Sequence, residues 1–236
     1  MLKTSVFGYD LHVFPDLPSL TRQVVAHPGV YISLGAEGLM RPEPEFREVV
    51  NRHVGYADGV GAVLAAKLLN RTSLTKIPGC ELWLSVLRAL PTARVAIWGA
   101  SPEVLMQVRQ KLALECPALQ LVYAENGYTT DPQRARSAIV QACPDVVILA
   151  LGQPRQELLA DQLASALPRA RFLPVGGSLD VYVGKVQRAP AVMIRLHLEW
   201  AYRLWLEPSR IKRQLVLPRF LWQVLKARAA AMLRLS

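Results

Sequence analysis

The sequence predicts an α/β fold, a mostly parallel sheet with helices packed on both faces. Three observations carry that expectation. Apolar runs ending in loop residues recur about every 26 residues, at 94–98, 119–123, 145–151 and 171–175. Between them, 103–114, 132–142 and 155–166 have the length and composition of helices. The strand segments are unbroken apolar runs such as Val146-Val147-Ile148-Leu149, the pattern of strands covered on both sides. Successive βα units of this kind build parallel sheets through right-handed crossovers.

Taken in order, the chain opens on Met1 to Asp10, which has neither a long apolar run nor a small-residue cleavage site and so reads as no secretory signal. A strand is expected at 30–34 and a helix at 43–53. The loop Ala57-Asp58-Gly59-Val60 leads into a helix at 61–69, and the Pro78-Gly79 turn into another at 80–90. Ser101-Pro102-Glu103 starts the next helix with a capping serine, a proline at the first helical position and an acid. Asp131-Pro132 repeats the signal. The character changes after Pro190. A helix is expected at 192–206, Pro208 opens a short basic segment, and Pro218 starts a last helix reaching about 235. The expected division is an α/β unit at 1–190 and a helical appendage at 191–236.

At 236 residues, with 52% hydrophobic and 19% charged, the chain can bury a large core and is no disordered segment. No run reaches about 18 apolar residues, so no membrane-crossing helix is expected. Cys80, Cys116 and Cys143 stand singly, without metal-ligand spacing, and read as buried small apolar residues in a reducing compartment. His12, His27, His53 and His197 show no ligand spacing and there is no Asp-x-Asp, so neither metal nor cofactor is expected. Gly99-Ala100-Ser101 is only a fragment of the dinucleotide fingerprint, which disfavours a nicotinamide cofactor.

The net charge is +10, unevenly spread. Nine basic and two acidic residues lie from Arg195 onward, so +7 falls on the last 42 residues. Trp200, Trp205 and Trp222 fall there too. Tryptophan mixed with arginine and leucine is the composition of an interfacial segment on an anionic membrane. It argues against nucleic acid, as does the lack of any nucleic-acid motif.

Four clusters could carry chemistry. In Ala57-Asp58-Gly59-Val60-Gly61, Asp58 could be a general base or a helix N-cap, and Gly59 and Gly61 permit close backbone approach. Leu151-Gly152-Gln153-Pro154-Arg155-Gln156-Glu157 follows the strongest strand, where parallel sheets bind ligands and a helix N-terminus can face an anion. Gly152, Pro154, Gln156 and Glu157 are its candidates, with loop capping as the alternative. Gly176, Gly177 and Asp180 form the third, where Asp180 and Arg188 could hold a ligand or pair with each other. In the tail, Arg203, Arg210 and Arg213 are spaced to share a helical face as a diphosphate clamp, or else as a solvated basic face. Asn126, in a turn after a strand, is a further candidate contact.

Together these stretches resemble the WecG/TagA/CpsF family of bacterial glycosyltransferases. The similarity also covers Gly184 through Arg188-Ala189-Pro190, Glu199-Trp200-Ala201-Tyr202-Arg203-Leu204 and Glu207-Pro208, and runs from about Val6 to Arg213. The resemblance implies a Rossmann-like catalytic domain with a C-terminal appendage. It implies metal-independent, inverting transfer from a UDP-sugar to an undecaprenyl-diphosphate-linked sugar, in the synthesis of teichoic acid linkage units or of capsular and exopolysaccharides. Asp58 would be the base, Gln156 a substrate-site residue, and Arg203, Arg210 and Arg213 the holders of diphosphate. The enzyme would be cytoplasmic, peripheral on the inner face of the membrane, and a homo-oligomer stays open. The family's usual Thr-x-Asn is here Ser33-Leu34-Gly35. Ser33 keeps the hydroxyl, but Gly35 has no amide, so N-acetylmannosamine, its uronic acid and glucose all stand as donor sugars. The reading from another class is a non-catalytic UDP-sugar-binding or scaffolding subunit.

Overall fold

The computed structural model describes residues 1–187, 189–190, 192–193, 199–206 and 215–233. The chain opens with a hairpin of β1 (Lys3–Val6) and β2 (Tyr9–His12), whose Phe7-Gly8 turn has both residues at positive φ. Then come α1 (Leu17–Ala26), β3 (Gly29–Leu34), α2 (Ala36–Leu39), α3 (Pro44–Arg52), β4 (Val54–Ala57), α4 (Val60–Asn70) and α5 (Gly79–Ala89). The regular βα units follow as β5 (Arg94–Gly99), α6 (Pro102–Glu115), β6 (Gln120–Glu125), α7 (Pro132–Ala142), β7 (Val146–Ala150), α8 (Arg155–Ala166), β8 (Arg171–Pro174) and α9 (Ser178–Tyr182). In the tail lie α10 (Glu199–Leu206) and α11 (Val216–Leu233).

Six strands line up as β4-β3-β8-β7-β5-β6, and every neighbouring pair is parallel. The expected α/β class, Rossmann-like in its helix-flanked parallel sheet, is what the chain adopts. Side chains alternate between two cores, one on each face. Val30, Ile32, Ala96, Trp98, Val147 and Leu149 join the core under α3, α4, α7, α8 and the hairpin. Tyr31, Val95, Ile97, Val146 and Ile148 join the core under α1, α5, α6 and α9. Period-two alternation with both sets buried is why these strands read as unbroken apolar runs.

Helices at 132–142 and 155–166 form with the expected bounds, and Ser101 and Asp131 cap α6 and α7 through their side chains. The first strands were not anticipated: the hairpin, β4, and the short helices α1, α2 and α9 are additions to the expected list. The cysteine expectation needs correction. Cys143 is exposed at the C-cap of α7, and Cys80 and Cys116 are only partly buried. Of the expected 192–206 helix, 199–206 is described as α10. The last helix starts two residues earlier than expected, at Val216. Among the described residues, no helix is long and apolar enough to cross a membrane.

The tail packs back onto the sheet unit. Phe220 and Val224 of α11 belong to the same core as β3 and α4. The Phe220 ring meets Phe7 edge-on, with centroids 5.7 Å apart. A β-carbon on Gly61 would come within 3.3 Å of Phe220 and 3.1 Å of Ala36, so glycine at this position leaves room for the ring.

Candidate functional site

All six strands are parallel, so their carboxyl ends make one rim. The loops singled out in the sequence all leave from it. Asp58 follows β4, Gly152 and Pro154 follow β7, Gly176 and Gly177 follow β8, and Asn126 follows β6.

Asp58 sits where β4 becomes α4. Its N–H donates to the Leu34 carbonyl at 3.0 Å, extending the β3–β4 ladder by one residue. Gly59, not Asp58, is the N-cap of α4, and no side-chain cap bond forms there. The N-cap position of α4 thus falls one residue after Asp58. Ser33 and Tyr56 lie opposite each other in register, and Asp58 shares their side of the sheet by alternation. All three converge on Gly79, at the start of α5. A β-carbon on Gly79 would lie 3.3 Å from the Tyr56 hydroxyl, 3.4 Å from Asp58 Oδ2 and 3.5 Å from Ser33 Cβ. The N-terminal ends of α4 and α5 both adjoin this carboxylate, bringing partial positive charge beside it.

Tyr56 is 2% exposed. Burial pushes its hydroxyl pKa well above the usual value, and the Asp58 carboxylate pushes it the same way, against a hydrogen bond with Ser33. The phenol thus stays protonated, a neutral donor beside an acid. A carboxylate flanked by two neutral hydroxyls can accept a proton from an incoming hydroxyl group.

The second cluster lies one and two strands further along. Gln156 is 2% exposed and turns inward from the first turn of α8. Its Oε1 accepts from Gly152 N at 3.2 Å and from Gly176 N at 3.0 Å, and its Nε2 donates to Glu157 Oε1 at 2.8 Å. The N–H groups of Gly152 and Gly176, on two neighbouring loops, are thus taken up by one side chain. Glu157 is fully buried, and burial raises its pKa against the opposing Gln156 and Gln153 amides and the Arg41 guanidinium. Gln153, whose peptide bond to Pro154 is cis, donates through Nε2 to the Ser33 carbonyl at 3.1 Å. That bond ties this cluster to the Asp58 cluster. Arg41 holds the Gln153 carbonyl at 2.8 Å and Glu43 at 3.0 Å.

Asn126 is five strand spacings from β4, about 24 Å along the sheet. Its amide bonds Glu125, and its Oδ1 accepts from Tyr128 N at 2.9 Å. Asp180 lies in the first turn of α9, and its carbonyl accepts from Val186 N at 3.2 Å. Arg188, Arg210 and Arg213 lie outside the described residues, as does the side chain of Arg203, whose backbone lies on α10. Among the described residues, no group of three or more His, Cys, Asp or Glu could hold a metal ion.

Sequence reading missed Tyr56, Gly79 and Arg41. Tyr56 had a usable signal: had 54–57 been read as a strand, alternation would have set it on the side of Asp58. Arg41 and Gly79 carried none, because tertiary contacts alone bring them in.

A model of the glycosyl transferase WecG/TagA/CpsF family matches residues 4–233 of the chain. Two relatives carry the name N-acetylglucosaminyldiphosphoundecaprenol N-acetyl-beta-D-mannosaminyltransferase. The one from Bacillus subtilis (strain 168) is 37% identical over 171 residues, which is 72% of this chain and 67% of the relative. The one from Bacillus spizizenii is 34% identical over 176 residues, 74% of this chain and 68% of the relative.

Proposed function

The chain belongs to the WecG/TagA/CpsF family of glycosyl transferases, and from that premise we propose that it moves a sugar from a UDP donor onto an undecaprenyl-diphosphate-linked saccharide. The observation that carries this reading is the convergence of Asp58, Tyr56 and Ser33 on one point at the rim. The acceptor's chemistry comes from the names of the two relatives, which describe transfer onto a diphosphoundecaprenol-linked sugar.

In the proposed reaction Asp58 takes the proton from the acceptor hydroxyl as its oxygen attacks the anomeric carbon. The bond to UDP breaks from the opposite face, and UDP departs with the bonding electrons, so the configuration inverts. The Tyr56 and Ser33 hydroxyls orient the carboxylate and the acceptor. The charge that develops on UDP needs an offset. With no metal in the proposed mechanism, that falls to the cationic tail residues Arg203, Arg210 and Arg213, with Arg188, Asp180, Gly177 and the neighbouring loops shaping the donor pocket. The donor sugar is N-acetylmannosamine, its uronic acid or glucose.

The outer face of α11 supports docking on an anionic bilayer. Leu221, Trp222, Leu225, Met232 and Leu233 are exposed there, Trp222 at 67%. The charged residues from Val216 to Leu233 are Arg219, Lys226 and Arg228, with no acid among them. Each cation near an anionic surface contributes roughly 1 kcal/mol, and a spread of aromatic and aliphatic side chains adds to it. We read 191–236 as the appendage that brings the rim to its lipid-linked acceptor on the inner face of the membrane.

The test is a transfer assay with the purified chain, the three UDP-sugars and a lipid-diphosphate N-acetylglucosamine acceptor, read by mass spectrometry. One donor should yield product, and Asp58→Asn should lower that rate about 10²- to 10⁴-fold while the protein keeps its melting temperature. Full activity in Asp58→Asn would remove the base. No product from wild type with any of the donors would favour the non-catalytic binding subunit.

A further inference from the structure

Glu157 is fully buried, with the Arg41 guanidinium and the Gln153 amide acting on its carboxyl from nearby. Its Oε1 accepts from Gln156, and its Oε2 is buried without a hydrogen-bond partner. A bare carboxyl oxygen in the interior is costly, and an apolar side chain would fill the same space without that cost. The contact with Gln156 gives the acid something to do. The Gln156 amide must present its oxygen to two N–H groups at once, Gly152 and Gly176, on the loops that leave the adjacent strands β7 and β8. Turned the other way, it would set its own NH₂ against two donors. Glu157 Oε1 accepts from Nε2 and so favours the orientation in which the amide oxygen meets both N–H groups. Gly176 holds φ +54, a backbone shape that no hydrogen bond of a regular element maintains.

We infer that Glu157 is a positioning residue: its carboxyl locks the Gln156 amide, which staples the two glycine loops together and fixes the width of the donor pocket between them. Glu157 itself touches no ligand, since it has no exposed surface. The inference rests on the reading that the UDP-sugar binds at these loops. With the staple loosened, the pocket spends binding energy on reordering the loops, so donor affinity falls more than the chemical step does.

Three variants of the full chain test this: Glu157→Ala, Glu157→Gln and Glu157→Asp. Amide hydrogen exchange at Gly152 and Gly176 reads the staple with no ligand present. Glu157→Ala should speed exchange at both about tenfold, raise KM for the donor and weaken UDP binding by a similar factor, and leave kcat within about twofold. Glu157→Gln can offer an oxygen to the same Nε2 and should restore most of the loss. Glu157→Asp draws the carboxyl back by one methylene and should behave like alanine, giving the same readout should the alanine variant fail to fold. Unchanged exchange at Gly152 and Gly176 overturns the staple whatever UDP does. Faster exchange with unaltered UDP affinity overturns the link to the donor pocket. Glutamine as damaging as alanine would mean that the acid acts through its proton or charge, and would overturn positioning. A wild type that fails to bind UDP would sink the donor reading, and the exchange data would still judge the staple.

Discussion

The two edges of this sheet use the same kind of loop in different ways. At the β5–β6 edge the polar groups are consumed where they stand. Ser101 accepts from Val104 N at the start of α6, Asp131 accepts from Arg134 N at the start of α7, and Asn126 closes its own turn. At the β3–β4 edge the N-cap position of α4 is Gly59, and the carboxylate of Asp58, one residue before it, is gathered with Tyr56 and Ser33 against Gly79. A place on the carboxyl rim is therefore shared by site and scaffold alike. What separates them is that at the β3–β4 edge polar side chains from two strands meet at one point, while at the β5–β6 edge each polar group serves its own loop. The β3–β4 edge also receives α11, through Phe220 on Gly61, while α11 has no such packing at the other edge.

The largest effect that would sharpen this contrast, after loss of the Asp58 carboxylate itself, concerns that docking. Phe220 is 4% exposed and packs between Phe7 and Gly61. Phe220→Ala should cost about 3 kcal/mol in urea or thermal unfolding. It should also lower transfer on lipid-linked acceptor, because α11 would no longer be held beside the rim. An unchanged unfolding midpoint would mean that the tail is not seated there in solution, and the asymmetry between the edges would lose half its support.

A smaller effect is expected from Tyr56→Phe, which deletes one hydroxyl and no carbon. The ring stays packed, so stability should change little. The hydrogen bond to Ser33 and the neutral donor beside Asp58 are lost, and kcat/KM should fall about fivefold to tenfold. A variant as active as wild type would reduce Tyr56 to core packing and leave Asp58 to act without it.

Much of this was legible because the central elements obey local rules. Ser101-Pro102 and Asp131-Pro132 announced α6 and α7, and the apolar runs gave β5, β7 and β8 to within a residue or two. The first 60 residues obey less local rules. β4 is only four residues long and contains Gly55, whose absent β-carbon would lie 2.5 Å from the Asp10 carbonyl. A glycine chosen for close approach of the hairpin looks, in one dimension, like a loop residue. α2 has four residues, too few to show a helical period. The motif residues were found by their composition, but their roles were not. Gln156 bridges two loops, a contact that was not expected, because nothing in Gly-x-Pro-x-Gln-Glu says which way an amide turns.

The smallest expected effect tests the quiet edge. Ser101 caps α6 through a hydrogen bond of 3.4 Å, long enough that its loss should cost about 0.5 kcal/mol, the low end for an N-cap. Ser101→Ala should therefore lower the unfolding midpoint slightly and leave KM and kcat for transfer where they were. It follows a strand of the same sheet, at the same rim, as Asp58 follows β4. A drop in kcat/KM from Ser101→Ala larger than its stability cost would show that the β5 loop meets substrate. The division between an edge that binds and an edge that only folds would then have to be redrawn around the middle of the sheet.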